Sequence, residues 1–406
     1  MYTRYFRTGL LTLSLSVGVS SALAGPADEA KSLWRRLVGV DPNAAEMATI
    51  TPLAAVSKYR EIAILAMGSK DFYRTGLKEF FSPLSSVAGN LGETLNDMTL
   101  TLIGMVRDNV PFDQSLYGDI LFVGAQGLLN QGGTPIASYS ETSNQHYMDL
   151  QNSLDANGEN FDFRDTSKII RVSQMSYTLR LQSAGVITSR AAGSAYFTAG
   201  TNRRMFDRFI AENFLCRDIA SMSDVTAAAP RIGRDVTRSP SGNSAIFNQT
   251  CKGCHAGIDA LRGAFATFNF GNSVQDNYNP TDPTIGVQNK MNQNSTEFPG
   301  GYITTDNSWV NTLLTGVNAN LGWRDPGEAG ISIQGGYGAY SLGRVIAKTR
   351  AFSQCQVKRV FKRVCLRNPN PLEEAQFASM GDTFEGRDYN LRELFADVIA
   401  NMCPTI

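Results

Sequence analysis

The stretch Cys251-Lys252-Gly253-Cys254-His255 places two thiols and an imidazole next to one another. The spacing C-x-x-C-H is that of a c-type haem attachment site. Thiols at positions i and i+3 project from one face of a helical turn, so both can reach the vinyl groups on one edge of a porphyrin. His255 then comes up beneath the ring as the proximal iron ligand. The motif predicts one covalent haem c, with Cys251 and Cys254 as thioether anchors.

Two other kinds of site use closely spaced cysteines. A thioredoxin-like redox pair belongs in a βαβ pattern, and no such pattern surrounds Cys251 and Cys254. A zinc site needs two further ligands at suitable spacing, and the chain has no second C-x-x-C. Haem attachment is therefore the interpretation that the motif favours.

The sixth iron ligand would decide what such a haem does. A strong second axial ligand suits electron transfer, whereas an open position permits gas binding or peroxide chemistry. Met291 lies in the polar stretch 288–294, where an apolar side chain has little reason to be, and is the first candidate. His146, the only other histidine, is the alternative as a distal ligand or an acid–base group. The competing interpretations are a methionine packed against a helix and a surface histidine.

The other four cysteines predict two disulfides, because an even number of thiols in an oxidising compartment usually pairs. The sequence leaves three pairings open. These cysteines are Cys216, Cys355, Cys365 and Cys403.

The first 24 residues have the three parts of a secretory signal peptide. Arg4 and Arg7 form a basic region, residues 10–19 an apolar region, and Ala22-Leu23-Ala24 a small-x-small cleavage site. The apolar run is too short to remain as a transmembrane helix. We expect cleavage near Ala24 and a bacterial periplasmic or secreted protein.

Composition excludes several classes of protein. The chain of 406 residues is 42% hydrophobic and 18% charged, which is unlike a disordered chain or a coiled coil. Lys plus Arg equals Asp plus Glu at 37 each, so the basic excess of a general nucleic-acid binder is missing. With only two histidines, a site that needs three imidazoles is excluded. The sequence after residue 24 contains no run of about 18 consecutive apolar residues, so it predicts no membrane-spanning helix.

Helix signals dominate the rest of the chain and predict a mainly α fold, with helical domains and long irregular loops around one haem. A cap residue before a proline at the first helical position starts a helix. This pattern occurs at Asp41-Pro42, Thr51-Pro52 and Asn370-Pro371, and capping-box spacing also at Asn390 with Glu393. An apolar stripe at helical spacing is formed by Val357, Val360, Phe361 and Val364.

The predicted organisation has three regions after the signal peptide of residues 1–24. An N-terminal helical domain covers 25–200, a cytochrome-c-like haem domain covers 201–300, and a C-terminal helical domain covers 301–406.

The stretch 251–269 resembles the haem region of large cytochrome-c-like proteins of planctomycetes and myxobacteria, which belong to a multidomain family of unknown function. Those proteins carry C-x-x-C-H-x-x-I-D-P-x-G-F-A-L-E-N-F-D. After the C-x-x-C-H motif, this chain matches that pattern at Ile258, Asp259, Ala264 and Phe268. Departures from it include Ala260, Arg262, Ala266 and Asn269. Fainter resemblances occur at 34–39, 342–355 and 391–394. The resemblance implies an exported monohaem cytochrome.

Three functions fit these observations. The first is an exported monohaem cytochrome that passes single electrons to a redox partner protein. The second is a haem oxidase or peroxidase-like enzyme with an open distal site, since electron transfer alone seldom requires so long a chain. The third is a structural or assembly protein of the cell envelope with the haem domain as a docking module. A docking patch for an acidic partner, or a solvated helix face, is formed by Lys358, Arg359, Lys362, Arg363 and Arg367.

Overall fold

The computed structural model describes residues 25–90, 92–154, 158, 161–198, 202–279, 281–282 and 286–403. The predicted signal peptide lies outside these residues. Helix accounts for 51% and strand for 8%, which confirms a mainly α protein. In the described part of the chain, no helix is long and apolar enough to cross a membrane.

The α-helices are α1 Pro26–Val38, α2 Ala44–Ala54, α3 Tyr59–Ala66, α4 Leu77–Phe81, α5 Asp97–Arg107, α6 Gln145–Gln151, α7 Gln174–Thr178, α8 Arg190–Tyr196, α9 Glu212–Phe214, α10 Ser244–Ile246, α11 Lys252–Leu261, α12 Gly338–Ala347, α13 Arg350–Cys365, α14 Pro371–Gly386 and α15 Leu391–Met402. The strands are β1 Leu121–Gly124, β2 Ile169–Val172, β3 Phe268–Phe270, β4 Val274–Asp276, β5 Ser308–Val310 and β6 Gly335–Tyr337. They pair as antiparallel two-stranded sheets, β1 with β2, β3 with β4 and β5 with β6.

The C-terminal helices begin where the sequence predicts. Asn370 caps α14, and its side chain accepts a hydrogen bond from the Glu373 backbone N–H at 3.0 Å. The Glu373 carboxylate accepts one in return from the Asn370 N–H at 2.8 Å, which completes a capping box. Asn390 caps α15, and its side chain likewise accepts a hydrogen bond from the backbone N–H three residues later, that of Glu393. The predicted apolar stripe of α13 is buried.

Two predicted helix starts are wrong. The helix after Asp41-Pro42 begins only at Ala44, because Asn43 and Glu46 form a complete capping box there. Asn43 is therefore the better cap for the exposed N–H groups. Thr51-Pro52 starts no helix, since Pro52 lies in the last turn of α2. A proline this close to the C-terminal end removes one backbone hydrogen bond, and the helical turns before it remain intact.

The first and last helices share one hydrophobic core. α1 packs against α13, and α3 packs against α15. Most of the buried apolar side chains form one cluster, with members from Ala30 to Cys403. Ile258 and Leu261 of α11 belong to it, so the helix that carries the thiol–imidazole motif is anchored in the common core. The boundaries near residues 200 and 300 stay predictions.

Candidate functional site

The motif lies inside a nearly continuous helical stretch. Asn243 caps its start by accepting a hydrogen bond from the Ala245 N–H at 2.8 Å. The short α10 leads into one π-helical turn, Phe247–Cys251, and then into α11. Such wide turns inside helices are frequent at functional sites. Cys251 therefore closes the π turn, and Cys254 and His255 lie on the first turn of α11.

The six cysteines divide into two disulfides and two unpaired thiols. Cys216 pairs with Cys355, and Cys365 pairs with Cys403, which confirms the two disulfides and selects one of the three pairings. The unpaired cysteines are Cys251 and Cys254, both partly exposed. Both thiols of the motif thus stay available for another bond. Among the described residues, no group of three or more His, Cys, Asp or Glu side chains is placed to hold a metal ion.

The proton of the His255 imidazole is fixed by a buried carboxylate one helical turn away. Nδ1 of His255 lies 2.9 Å from Oδ1 of Asp259. A carboxylate oxygen only accepts, so Nδ1 is the donor and carries the proton in the neutral ring. The lone pair of Nε2 is then left for a metal, as in the carboxylate–histidine–metal arrangement of many metal sites. The His255 side chain is 15% exposed, so its orientation is set by its neighbours.

Asp259 belongs to a cluster of buried charges that we call the carboxylate–guanidinium cluster: Asp235, Arg238, Asp259 and Arg262. Oδ2 of Asp259 accepts hydrogen bonds from Nη2 of Arg238 at 2.8 Å and from the Gly233 N–H at 3.1 Å. The same Nη2 donates to Asp235 at 2.9 Å, and Arg262 forms an ion pair with Asp235 at 2.5 Å. The cluster holds two negative and two positive side chains, which balances its charge in a buried place.

The two carboxylates of the cluster differ in pKa. Burial raises the pKa of Asp235, and the opposing charge of Arg262 does not fully offset it. Burial also acts on Asp259, but the hydrogen bond and charge of His255, with Arg262 and Arg238, bring its pKa below the ordinary value. Asp259 is therefore the carboxylate that stays ionised beside the imidazole.

An arginine from outside this cluster lies against the imidazole. Nη1 of Arg203 is 3.2 Å from Nε2 and 3.4 Å from Nδ1 of His255. The two nearly equal distances place the guanidinium against the ring rather than along one lone pair. The Phe247 ring packs 5.4 Å from the imidazole, and Arg238 lies 5.1 Å over that phenyl ring. The imidazole is thus bordered by one aromatic ring, one carboxylate and one cation.

The segment 216–225, which we call the covering segment, runs along the outside of the motif. Sγ of Cys254 lies 3.6 Å from the Ile219 carbonyl oxygen, and the Asp224 N–H donates to the Gly253 carbonyl at 3.4 Å. A Cβ on Gly253 would come within 2.9 Å of the Val225 side chain. Glycine between the two cysteines is therefore what permits this close approach.

Met291 is fully buried in a single 3-10 turn, Asn289–Met291. Its segment is tied to the carboxylate–guanidinium cluster, because the Gln293 side chain donates to the Asp235 carbonyl at 2.6 Å. The Gln288 N–H donates to the Ala266 carbonyl at 2.9 Å, beyond the end of α11. Among the described residues no contact joins Met291 to His255, and Met291 as the sixth ligand stays a prediction.

His146 is a buried residue of α6, so the interpretation of a surface histidine is wrong. Its Nε2 accepts a hydrogen bond from the Gly124 N–H at 2.9 Å, and its Nδ1 donates to the Ala137 carbonyl at 2.7 Å. Burial lowers the pKa of this imidazole, so the neutral form is favoured. Both nitrogens already bind the backbone, so His146 has no lone pair left for iron in this conformation. The structure gives it a role in holding β1 to α6.

The basic flank of α13 is largely neutralised. Lys358 pairs with Glu374 at 2.8 Å, Arg363 with Glu79 at 2.9 Å, and Arg367 with Glu373 at 2.5 Å. Arg359 lies over the Phe80 ring and donates to the Asn213 carbonyl. This face is therefore an ion-paired helix surface more than an uncompensated cationic patch.

Sequence reasoning found the thiols and His255 but missed the groups around the imidazole. Asp259 has a signal, because a residue four positions after a histidine on a helix lies on the same face. No spacing pattern in the sequence points to Arg203, Asp235 or Arg238, because they reach the site from other segments of the chain. Comparison with protein-family models, curated proteins and solved structures finds no match for this chain. The resemblance to the cytochrome-c-like family stays a proposal that depends on residues 251–269.

Proposed function

We propose that this chain is an exported monohaem c-type cytochrome that exchanges single electrons with a redox partner protein. One observation carries the proposal: the fold pairs four of the six cysteines and leaves the two of the C-x-x-C-H motif free beside an oriented histidine. A pair of structural cysteines would not need an oriented histidine beside it. A covalent haem needs both free thiols for its thioether bonds and the imidazole as an iron ligand.

The residues present fit a haem c. Cys251 and Cys254 are partly exposed on successive helical turns and can form the thioether bonds. His255 offers Nε2 to the iron, and Asp259 holds the ring by Nδ1. When bound, the haem supplies a one-electron redox centre. The protein's part is to orient the imidazole and to exclude water from it.

Export accounts for the other covalent features. Two disulfides are compatible with an oxidising compartment, and residues 1–24 have the pattern of a signal peptide. Haem of this type is attached outside the cytoplasm. We therefore place the protein in a bacterial periplasm or outside the cell.

Covalent haem after export is the direct test. Expression in a bacterium with periplasmic haem-attachment machinery is expected to give a protein that keeps its haem through denaturing electrophoresis. Replacing Cys251 and Cys254 together by serine is expected to abolish this covalent haem. The matched control, Cys365→Ser with Cys403→Ser, also removes two cysteines and is expected to keep it. A wild-type chain without bound haem would refute the proposed function.

A second candidate function is a haem enzyme with an open distal position. It is favoured by one observation, that both ring nitrogens of His146 are bound to the backbone, so this imidazole is not free to close the distal position. Carbon monoxide added to the reduced protein separates the two candidates. A spectrum indifferent to carbon monoxide indicates a closed site and a simple carrier, whereas a shifted spectrum indicates an open one.

Met291→Leu in the haem-loaded protein is expected to leave the visible absorption spectrum of both oxidation states unchanged. The reason is that Met291 is fully buried in a segment bound to Asp235 and Ala266, and no contact among the described residues joins it to His255. Leucine is close in volume to methionine, so the fold should tolerate it at a cost of less than about 1.5 kcal/mol. A change from a low-spin to a high-spin spectrum would instead identify Met291 as the sixth ligand.

A further inference from the structure

A cleft of about 320 Å³ lies between residues 212–218 and α13, and four of the side chains that border it are cations: Arg217, Lys358, Arg359 and Lys362. The three from α13 lie three, four and seven positions after Cys355, so helical spacing places them on the same face as that cysteine. The Cys216–Cys355 disulfide joins the two walls of the cleft. A covalent bond therefore keeps Arg217, the residue after Cys216, close to the cations of α13.

The two carboxylates that border the cleft do not neutralise this charge. Glu212 pairs with Arg208 at 2.8 Å, one helical turn away. Asp218 accepts a hydrogen bond from the Ser221 N–H at 2.8 Å, within its own segment. Lys358 has its carboxylate partner on α14. In the described part of the chain, three cations of the cleft are left without a carboxylate partner: Arg217, Arg359 and Lys362.

Arg359 shows the cost of this arrangement. Its guanidinium lies 4.9 Å over the Phe80 ring and donates only to neutral oxygens, the Asn213 carbonyl at 3.3 Å and the Gln356 side chain at 3.4 Å. Burial lowers the pKa of Arg359 to about 10, and no carboxylate opposes this shift. Both hydrogen bonds come from Nη1, so the N–H donors of Nε and Nη2 remain for another acceptor. A cation removed from water is costly unless an anion pairs with it.

We propose that this cleft binds a small anion with at least two negative charges, of the phosphate or polycarboxylate class. Two guanidinium groups and an ammonium border one space, and the planar guanidinium fork matches the oxygens of both anion classes. The volume lies at the lower end of the range for small-molecule sites, about 300–1,000 Å³, which suits an ion of this size.

The bound anion has a structural consequence. Arg217 belongs to the covering segment (216–225), whereas Arg359 and Lys362 belong to α13 of the common core. An anion between them bridges the covering segment to the core at a second point beside the disulfide. The site needs no haem, so the inference is independent of the proposed function.

Isothermal titration calorimetry of the exported protein with citrate, and separately with inorganic phosphate, tests the inference. We expect the wild type to bind at least one of these ions at low ionic strength. The Arg217 side chain has no hydrogen bond or ion pair in the described part of the chain, so Arg217→Gln should keep the fold. Its Kd is expected to be about ten- to a hundredfold higher, because charge-assisted hydrogen bonds are lost.

Arg363→Gln is the matched control. It removes the same charge from α13, but Arg363 pairs with Glu79 and does not border the cleft. Its Kd is expected to stay within about twofold of the wild type. Lys362→Gln is the second test variant, since Lys362 is exposed and its replacement leaves the core untouched. We expect its Kd to rise about tenfold.

Two results would overturn the inference. One is a wild-type protein that binds neither citrate nor phosphate, and the other is an unchanged Kd in both Arg217→Gln and Lys362→Gln. The haem content of the same preparation is measured separately by its absorption. A haem-loaded protein that binds no anion would refute this inference alone, and a haem-free wild type that binds citrate would refute the proposed function alone.

Discussion

Asp259→Asn is expected to raise the reduction potential of the proposed haem by about 60–120 mV. The Asp259 carboxylate accepts a hydrogen bond from the protonated Nδ1 of His255 at 2.9 Å, which would make the imidazole a more basic iron ligand. A more basic ligand favours ferric over ferrous iron. Loss of such an outer partner typically changes metal affinity 10- to 100-fold, and tenfold corresponds to 59 mV for one electron. A redox titration followed by absorption measures the shift directly.

The same substitution is also expected to destabilise the fold. Asp259 is buried and neutralises Arg238, so an amide in its place leaves that guanidinium one carboxylate short. Breaking a buried ion pair from one side costs about 3–5 kcal/mol. Denaturant unfolding of the haem-free chain would measure this cost without involving iron.

Asp235→Asn is the matched control for the potential. Asp235 is buried in the same carboxylate–guanidinium cluster and pairs with Arg238 and Arg262, but it does not contact His255. We expect a similar loss of stability with a potential within about 20 mV of the wild type, since the imidazole keeps its own carboxylate. Equal potentials in Asp259→Asn and wild type would contradict the role given to Asp259.

The four buried charges of the carboxylate–guanidinium cluster carry a desolvation cost, and their position beside His255 indicates why the protein keeps them. Buried ion pairs add little net stability, because the desolvation of each charge offsets the attraction. Four buried charges beside one helix are therefore poorly explained as a device for stability alone. Asp259 must stay ionised to hold the Nδ1 proton, and its pKa is lowered against burial by the hydrogen bond and charge of His255, followed by the charges of Arg262 and Arg238. The cluster thus serves the orientation of one imidazole.

The sequence predicts the local features of this protein and misses the distant ones. The thiol–imidazole motif, the caps at Asn370 and Asn390 and the stripe of α13 all depend on residues within a few positions of one another. A proline cap such as Thr51-Pro52 fails because the preceding capping box had already started the helix. His146 shows the converse, since its two backbone partners are 22 and 9 residues away and leave no pattern in the sequence.

Removal of the Cys216–Cys355 disulfide is the other change with a large expected effect. This bridge joins residues separated by 139 positions, and the loop-entropy estimate for it is about 5 kcal/mol. It also fixes the start of the covering segment (216–225) to α13 of the common core. With Cys216→Ser and Cys355→Ser we expect a lower unfolding midpoint in denaturant. We also expect faster hydrogen exchange in the covering segment, whose contacts with Cys254 and Gly253 are then held at one end only.

The Cys365–Cys403 bridge supplies the control. Its residues are separated by 38 positions, which gives about 4 kcal/mol by the same estimate. Both of its ends lie on the C-terminal helices, at the end of α13 and just after α15. Cys365→Ser with Cys403→Ser should therefore destabilise the fold by a comparable amount and leave exchange in the covering segment unchanged. Equal exchange in both double variants would show that the covering segment is held by the packing of Met222 and its neighbours in the core, and not by the bridge.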